Sequence, residues 1–360
     1  MLGAERAKHL RVTGSGVVPL STLMSNNNGL PPRPLLTAAT RDGLVLPVLD
    51  LTDPRFTVPD DAASLERLFG TVIEEERRRR HVPKFILRWM LRRAAKRSRL
   101  LRALFGENRS FLDAISTYVM KLGPDNLPPS YDSPADRRIA ASPNLTLLRL
   151  RTQQVAGLLA DALVPALERA PSAPLRLVNI AGGTTIDSLN ALMMLRRRND
   201  ALLRRPIVIH VLDQQDAGPF FGRNALAALR QPGAPLAELD ITFDHRLYDW
   251  TDTATLEALL REVTAANAVA AASSEGGLFE YGTDEAIIAN LRALHAGGVM
   301  AVAGSVTASH AARRRMLKLS RFKLFPRGLE GFAPLVAQAG YRIARAETNH
   351  SSEQVLLAPA

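Results

Sequence analysis

The segment Leu175–Asp187 constrains the fold of this chain more strongly than any other stretch. An apolar run enters a turn built on Gly182 and Gly183, and the apolar residues that follow, beginning with Ile186 and Leu189, recur at helical spacing. This pattern is typical of a β-strand, a tight turn and the start of a helix. Such a turn either simply connects the two elements or lets the backbone approach a nucleotide-like ligand.

Strand and helix patterns alternate from this segment to the C-terminus. The expected strands are Leu175–Ala181, Pro206–Asp213, Leu239–Leu247, Ala268–Ser273, Gly298–Ser305, Tyr341–Glu347 and Glu353–Ala358. The expected helices are Ile186–Arg197, Gly222–Leu229, Thr253–Ala265, Asp284–Ala296 and Leu329–Ala339. Alternation of this kind predicts an α/β fold with a mostly parallel sheet covered on both faces. The link between the last two strands, residues 348–352, is too short for a crossover helix, so these strands should form an antiparallel hairpin.

The sequence predicts two parts: a mainly helical cap over residues 1–144 and a sheet domain over residues 145–360. Residues 62–105 have a helical pattern that is interrupted at Val82 and Pro83, and residues 108–122 have another. A long helix is expected over 145–168, directly before the first strand of the sheet.

The net charge of +11 is concentrated in one segment. Between Arg77 and Arg102 there are 12 Lys and Arg and no acidic residue, so subtracting 12 from +11 leaves −1 for the rest of the chain. The charge therefore does not indicate a uniformly basic nucleic-acid-binding surface. Without cysteine, disulfides and thiolate sites are excluded, and the seven scattered histidines favour a protein without a metal. No apolar stretch is long enough to span a membrane, and we expect a cytoplasmic protein.

The whole of residues 145–360 resembles the class I S-adenosylmethionine-dependent methyltransferases, which have a Rossmann-like seven-stranded sheet ending in an antiparallel hairpin. The family's first motif is an acid followed by three alternating small residues, and it corresponds here to Asn179, Ala181, Gly183 and Thr185, with Gly182 between. The resemblance implies S-adenosyl-L-methionine as the cofactor. Asn179 replaces the usual acid, and Ala181 and Thr185 replace glycines. These departures leave open a degenerate fold that binds without catalysis.

The resemblance also assigns cofactor contacts after the later strands. Asp213, followed by Gln214, would take the ribose hydroxyls, because a carboxylate can accept both hydroxyl protons. Asp249 would bind the adenine amino group, with Trp250 as a stacking face or as ordinary core packing. Ser273 ends the fourth strand, where the reacting methyl group should lie.

Three segments also resemble the leucine carboxyl methyltransferase branch of this class. Asn179, the Leu150-Arg151-Thr152 segment and the run from Glu275-Gly276 to Tyr281 carry this resemblance. In that branch the arginine binds the cofactor carboxylate, a role that transfers here to Arg151, and a guanidinium fork suits a carboxylate.

Methyl transfer requires alignment of the acceptor and exclusion of water, and a base only where the acceptor carries a proton. The candidate catalytic residues near the strand ends are Glu275, Tyr281, His245 and His310, although residues of these types more often serve as structural hydrogen-bonding groups. The apolar and aromatic segment 111–129 is the expected substrate cover, with Phe111, Tyr118 and Met120 as substrate-binding residues.

The sequence therefore predicts methylation of a small molecule on oxygen or nitrogen, in secondary metabolism. A second hypothesis is a carrier-bound, lipid or macromolecular substrate that docks on the basic helix. Within Arg77–Arg102, Phe85 and Trp89 lie among the cations. The segment is a solvated face, a membrane-surface helix, or a site for an anionic partner such as an acidic carrier protein or RNA. A homodimer is compatible with the sequence.

Overall fold

The computed structural model describes residues 34–79, 81–105, 113–317 and 322–360. The N-terminal part contains a short antiparallel ribbon of β1 (Thr37–Ala39) and β2 (Val45–Pro47). Its helices are α1 (Ala62–Arg79), α2 (Lys84–Ala95), α3 (Arg99–Phe105), α4 (Ala114–Lys121) and α5 (Pro134–Ala140). The break expected at Val82 and Pro83 separates α1 from α2, because proline starts a helix more readily than it continues one.

Helix α4 begins later than the pattern over 108–122 predicts. Asp113 is its N-cap, and the side chain accepts a hydrogen bond from the backbone N–H of Ser116. This cap satisfies one of the free N–H groups of the first turn and defines where the helix starts.

From residue 143 onward, strands and helices alternate as expected. The strands are β3 (Leu175–Ile180), β4 (Ile207–Asp213), β5 (Ile241–Leu247), β6 (Val269–Ser274), β7 (Ala301–Thr307), β8 (Tyr341–Asn349) and β9 (Ser352–Pro359). The helices are α6 (Pro143–Arg169), α7 (Ile186–Arg198), α8 (Ala217–Leu229), α9 (Ala254–Ala265), α10 (Leu278–Tyr281), α11 (Asp284–Ala296), α12 (Ala311–Leu317) and α13 (Gly328–Gln338).

The strands β3 to β9 form one sheet in the order β5-β4-β3-β6-β7-β9-β8. Strands β3 to β7 are parallel, whereas β9 is antiparallel to both β7 and β8. The expected parallel sheet and terminal hairpin are confirmed. The carboxyl ends of the parallel strands meet at one edge, and there Asn179 of β3 pairs in register with Ser273 of β6.

Successive residues of each inner strand enter different hydrophobic cores, because side chains of a strand alternate between its two faces. In β6, Ala271 packs on one side of the sheet with α6, α7 and α8, whereas Ala270 and Ala272 pack on the other side with α9, α11 and α13. The sheet is thus covered on both faces, as the sequence predicts.

The N-terminal part shares the first of these cores with the sheet. Phe56, Tyr118 and Met120 are buried in the same cluster as Leu177 of β3. A division at 144/145 stays a prediction, because residues on both sides of it pack together. None of the described helices is long and apolar enough to cross a membrane.

Asn190 of α7 joins the N-terminal segment to the sheet through the backbone. Its amide oxygen accepts a hydrogen bond from Leu51 N at 2.7 Å, and its amide nitrogen donates to Leu49 O at 2.9 Å. Asn190 is fully buried, so both backbone groups depend on it for a partner.

We expect Asn190→Ala to lower the free energy of unfolding by roughly 2–4 kcal/mol, since it leaves a buried N–H and a buried C=O unsatisfied. Urea denaturation measures this loss. Gln231→Ala is the control, because the exposed Gln231 side chain bonds only to a carbonyl of the preceding helix, and it should change stability by no more than about 0.5 kcal/mol. Equal stability of the two variants would contradict the assigned role of Asn190.

Candidate functional site

The turn between β3 and α7 has an alternating backbone conformation. Ala181, Gly183 and Thr185 have φ angles of 53°, 54° and 60°, in the left-handed region. These are the three alternating positions of the motif, and two of them hold residues that pay about 1–2 kcal/mol for this conformation. A Cβ on Gly183 would lie 2.7 Å from the Cβ of Ala114, so α4 packs closely on the turn.

Asn179 lies beneath this turn and does not line the cavity above it. Its amide nitrogen is 2.8 Å from Asp187 Oδ1, and 3.3 and 3.1 Å from the hydroxyls of Ser188 and Ser273. Burial raises the pKa of Asp187. An acid at position 179 would place a second carboxylate beside this one, so the amide is the compatible residue. Ser273 is likewise part of this buried network.

A cavity of about 180 Å³ lies at the carboxyl edge of the sheet. It brings together many residues that the sequence assigns to the site: Tyr118, Ala181, Gly182, Gly183, Asp213, Gln214, Asp249, Trp250, Glu275 and Tyr281. Ala114, Thr117 and Lys121 of α4 form part of its wall. We call it the smaller cavity.

Asp213 stands at the end of β4 and contacts the turn. Its Oδ2 accepts a hydrogen bond from Gly183 N at 3.1 Å, and its Oδ1 accepts one from Gln215 N at 2.9 Å. Burial raises the pKa of Asp213 despite these bonds. Asp249, after β5, is exposed, and hydrogen bonds from Thr251 lower its pKa.

Four buried ionic side chains form a cluster beside the smaller cavity. Glu275 lies 2.5 Å from Lys121 Nζ and 2.5 Å from Arg151 Nε, and Arg151 Nη1 is 3.0 Å from Glu280. Burial alone would raise the pKa of Glu275, but the charges of Arg151 and Lys121 outweigh it and lower the pKa to about 2. We call these four residues the ionic cluster.

The ionic cluster contains two of the predicted site residues, Arg151 and Glu275. Arg151 does not line the smaller cavity, and its guanidinium is already paired with Glu275 and Glu280. Glu275 is held as a carboxylate by two cations, which makes it a weak proton acceptor. Lys121 and Glu280 complete the cluster and were not singled out in the sequence, because nothing local distinguishes them from surface charges.

A second cavity, of about 1120 Å³, adjoins the smaller one. Thr117, Gly276 and Tyr281 line both, so the two meet there. More than half of the residues around the larger cavity are apolar, and they come from α1 to α6 as well as from the segments 311–317 and 322–324. The predicted substrate residue Met120 lines this cavity, and Arg151 does too.

The other predicted substrate residues are placed differently. Tyr118 lines the smaller cavity, but its hydroxyl accepts a hydrogen bond from Leu49 N and donates one to Pro47 O, so the phenol anchors the N-terminal segment. Phe111 lies outside the described residues.

Neither His245 nor His310 lines either cavity. His245 Nε2 is 3.3 Å from the carbonyl oxygen of Asp213. His310 Nδ1 accepts a hydrogen bond from Arg313 N, and its Nε2 is 2.8 Å from His350 O.

The fold also brings His310 close to His350, with ring centroids 4.5 Å apart. Glu76 Oε2 in turn lies 2.8 Å from His350 Nε2. Ligand atoms of the three side chains all lie within 4.8 Å of one another. Both nitrogens of His310 already have backbone partners, and the hydrogen bonds account for the arrangement. Because Glu76 lies far from His310 and His350 in the sequence, the sequence alone did not predict this contact.

The order β5-β4-β3-β6-β7-β9-β8, with β9 inserted antiparallel beside β7 and a glycine turn after β3, is the layout of the class I methyltransferases. The chain has the class I methyltransferase fold.

Comparisons with known proteins find distant structural likeness. No family model matches the chain, and neither does any curated protein. A "possible exported protein" from Bordetella parapertussis is 15% identical, with a TM-score of 0.49, over 84% of this chain and 100% of that one. An O-methyltransferase of neocarzinostatin biosynthesis, in complex with S-adenosylmethionine and a naphthoic acid, is 17% identical, with a TM-score of 0.33, over 51% of this chain.

That match covers 49% of the O-methyltransferase, so the chain spans about half the length of this relative. A magnesium protoporphyrin IX methyltransferase from Synechocystis PCC 6803, with bound S-adenosylhomocysteine, is 13% identical, with a TM-score of 0.38, over 59% of this chain and 85% of that one. The methyltransferase fold of the chain is defined by its own sheet topology.

Glu275→Gln tests whether the ionic cluster holds the site together. Removing one charge from a buried cluster leaves its cations uncompensated, so we expect a loss of roughly 3–5 kcal/mol in the free energy of unfolding at neutral pH. The pKa of Glu275 is lower in the folded protein than its ordinary 4.5, so its contribution is complete above pH 4.5 and disappears as the pH falls through about 2.

Chemical denaturation across this pH range measures the difference between wild type and variant, which should narrow on acidification. Glu66→Gln is the control, since Glu66 is exposed on α1, and it should change stability by no more than about 0.5 kcal/mol. A Glu275→Gln protein as stable as wild type at neutral pH would show that the cluster does not tie the site together.

Proposed function

We propose that this protein is an S-adenosylmethionine-dependent methyltransferase that acts on an oxygen or nitrogen atom of a small, largely apolar molecule. One observation carries the proposal: residues after β3, β4, β5 and β6 converge on the smaller cavity, which joins a much larger apolar cavity at Thr117, Gly276 and Tyr281. A donor site and an acceptor site that share a wall are what a group transfer between two bound molecules requires.

The residues of the smaller cavity fit the nucleoside part of the cofactor. Each carboxylate oxygen of Asp213 accepts one backbone N–H among the described residues and retains a lone pair for a hydroxyl group. Asp249 and Trp250 offer an acceptor and an aromatic face for an adenine ring. Gly182 and Gly183 contribute backbone to the wall of the same cavity.

The amino-acid part of the cofactor needs partners other than Arg151, since that side chain does not line the smaller cavity. Glu275 and Lys121 line the smaller cavity and have the charges that suit an ammonium and a carboxylate group. We assign the amino-acid end of the cofactor to these two residues.

S-adenosylmethionine, when bound, supplies an activated methyl group that a nucleophile can displace directly. The contribution of the chain is to align the acceptor and to exclude water. Met120 and the apolar walls of the larger cavity hold the acceptor, and Tyr281 and Gly276 stand at the junction through which it must approach. Tyr281 is the predicted acid–base residue that lies at this junction.

Binding of S-adenosylhomocysteine to the full chain tests the cofactor site. We expect Asp213→Asn to weaken binding by roughly 1.5–3 kcal/mol, since it removes hydrogen bonds to a charged group. Isothermal titration calorimetry should record this as a loss of roughly 10- to 150-fold in affinity. Asp240→Asn is the control, because Asp240 is exposed next to the amino end of β5, and it should bind like wild type.

The pH dependence gives a second readout. Burial raises the pKa of Asp213 above its ordinary 3.8, so the affinity of wild type should fall on acidification before that value is reached. The Asp213→Asn variant should lack this fall. No heat of binding in wild type, or equal affinity in both Asp variants, would contradict the proposed function.

A further inference from the structure

Helix α2 presents apolar side chains on two faces at once. Leu87, Met90, Leu91 and Ala94, spaced as one helical face, line the larger cavity. Phe85 and Trp89, on the other side, are 73% and 62% exposed. The inner face is explained by the cavity, whereas the two exposed aromatic rings have no comparable burial in the described part of the chain.

The exposed rings lie beside a concentrated positive charge. Arg92, Arg93 and Lys96 are exposed in the second half of α2 and just after it, and Arg93 lies 5.9 Å from the centre of the Trp89 ring. The sequence from Arg77 to Arg102 contains no acid that could balance them. Exposed Trp and Phe with Lys and Arg on one amphipathic helix are typical of helices that lie in a membrane interface.

The larger cavity opens on the same side of the molecule. Ile73 and Met90 both line it and are 51% and 52% exposed, so they mark its mouth. Inside, the Nε atom of Arg313 is buried with no hydrogen-bond partner among the described residues. An apolar cavity with an unsatisfied cationic donor is complementary to an amphiphile that has an anionic group.

We propose that α2 docks this protein on the surface of an anionic lipid bilayer. Phe85 and Trp89 enter the boundary between headgroups and acyl chains, and Arg92, Arg93 and Lys96 bind the anionic headgroups. The mouth of the larger cavity then faces the bilayer. An amphiphilic acceptor would enter from there; this consequence rests on the proposed function, whereas the docking itself does not.

Two other occupants explain less of this surface. RNA would use the cations and stack on the aromatic rings, but it would leave the exposed aliphatic residues Ile73 and Ile86 unused. A second copy of the chain in a two-fold dimer would place the same positive patch on both sides of the interface, where like charges repel. A lipid surface satisfies the charges and the apolar groups together.

Co-sedimentation of the full chain with vesicles tests the docking directly. We expect binding to vesicles of phosphatidylcholine mixed with phosphatidylglycerol and much weaker binding to phosphatidylcholine alone. Added salt should weaken the binding, because charges are screened beyond about 8 Å at physiological ionic strength. Binding that is equal on both vesicle types, or absent from both, would overturn the proposal.

Charge variants identify the surface. The triple variant Arg92→Gln, Arg93→Gln, Lys96→Gln should bind anionic vesicles roughly 100-fold more weakly, the product of roughly fivefold for each of the three cations at the surface. The matched control is Arg169→Gln, Arg261→Gln, Arg342→Gln, which removes the same number of exposed cations elsewhere and should bind like wild type. An equal loss in both triple variants would mean that only net charge matters and would overturn the assignment to α2.

The aromatic residues need a separate variant. Phe85→Ser with Trp89→Ser should remove the part of the binding that persists at high salt, while leaving the charge attraction at low salt. Because all substituted side chains are exposed, thermal unfolding should be close to that of wild type in every variant. Unchanged high-salt binding in the double variant would overturn insertion of the rings.

Two further measurements separate the alternatives. Binding to polyuridylate but not to vesicles would replace the lipid surface with RNA, and a concentration-dependent dimer that the aromatic variant abolishes would replace it with a second copy. Calorimetry with S-adenosylhomocysteine should give wild-type affinity in all docking variants. Vesicle binding by a chain that fails to bind S-adenosylhomocysteine would support the docking and contradict the proposed function alone.

Discussion

The ionic cluster of Lys121, Arg151, Glu275 and Glu280 is the interaction on which the candidate site depends. It joins α4 and α6 to the end of β6 and to α10, and it balances two buried cations with two buried carboxylates. Each member is stable only with the others, because a single unpaired charge in this interior would be strongly unfavourable. Ser305 extends the cluster to β7 by contacting Glu280 and Gly276 N. The junction of the two cavities is therefore built on a charged frame rather than on apolar packing alone.

The turn after β3 depends on a second buried network. Left-handed conformations at Ala181 and Thr185 are unfavourable for residues with a Cβ, and such strain persists where the surroundings determine the backbone. The amide of Asn179 bridges Asp187, Ser188 and Ser273 directly below the turn. Asn179 and Asp187 are thus mutually compatible, because the amide at the strand end donates to the buried carboxylate of the helix.

Helix α2 connects the interior of the molecule with its surface. Its inner side chains close the larger cavity, and its outer side chains combine aromatic rings with most of the local positive charge. The mouth of the larger cavity lies beside this outer face, since Met90 lines the cavity and is still 52% exposed. The positively charged helix α2 therefore lies next to the cavity that we assign to the acceptor, and not on the opposite face of the sheet.

The sequence by itself determined the α/β architecture, the terminal hairpin and the position of Asp213 at a strand end. Hydrophobic periodicity and the length of a link depend only on residues that are neighbours along the chain, so both are visible in the sequence. Only the tertiary structure decided what Arg151 and His310 contact. Lys121 and Glu275 are 154 residues apart, and a pairing over that distance depends on how α4 packs against the sheet. Arg151, which the sequence predicts as a cofactor ligand, is paired with two carboxylates, since a desolvated cation binds the nearest compensating charges.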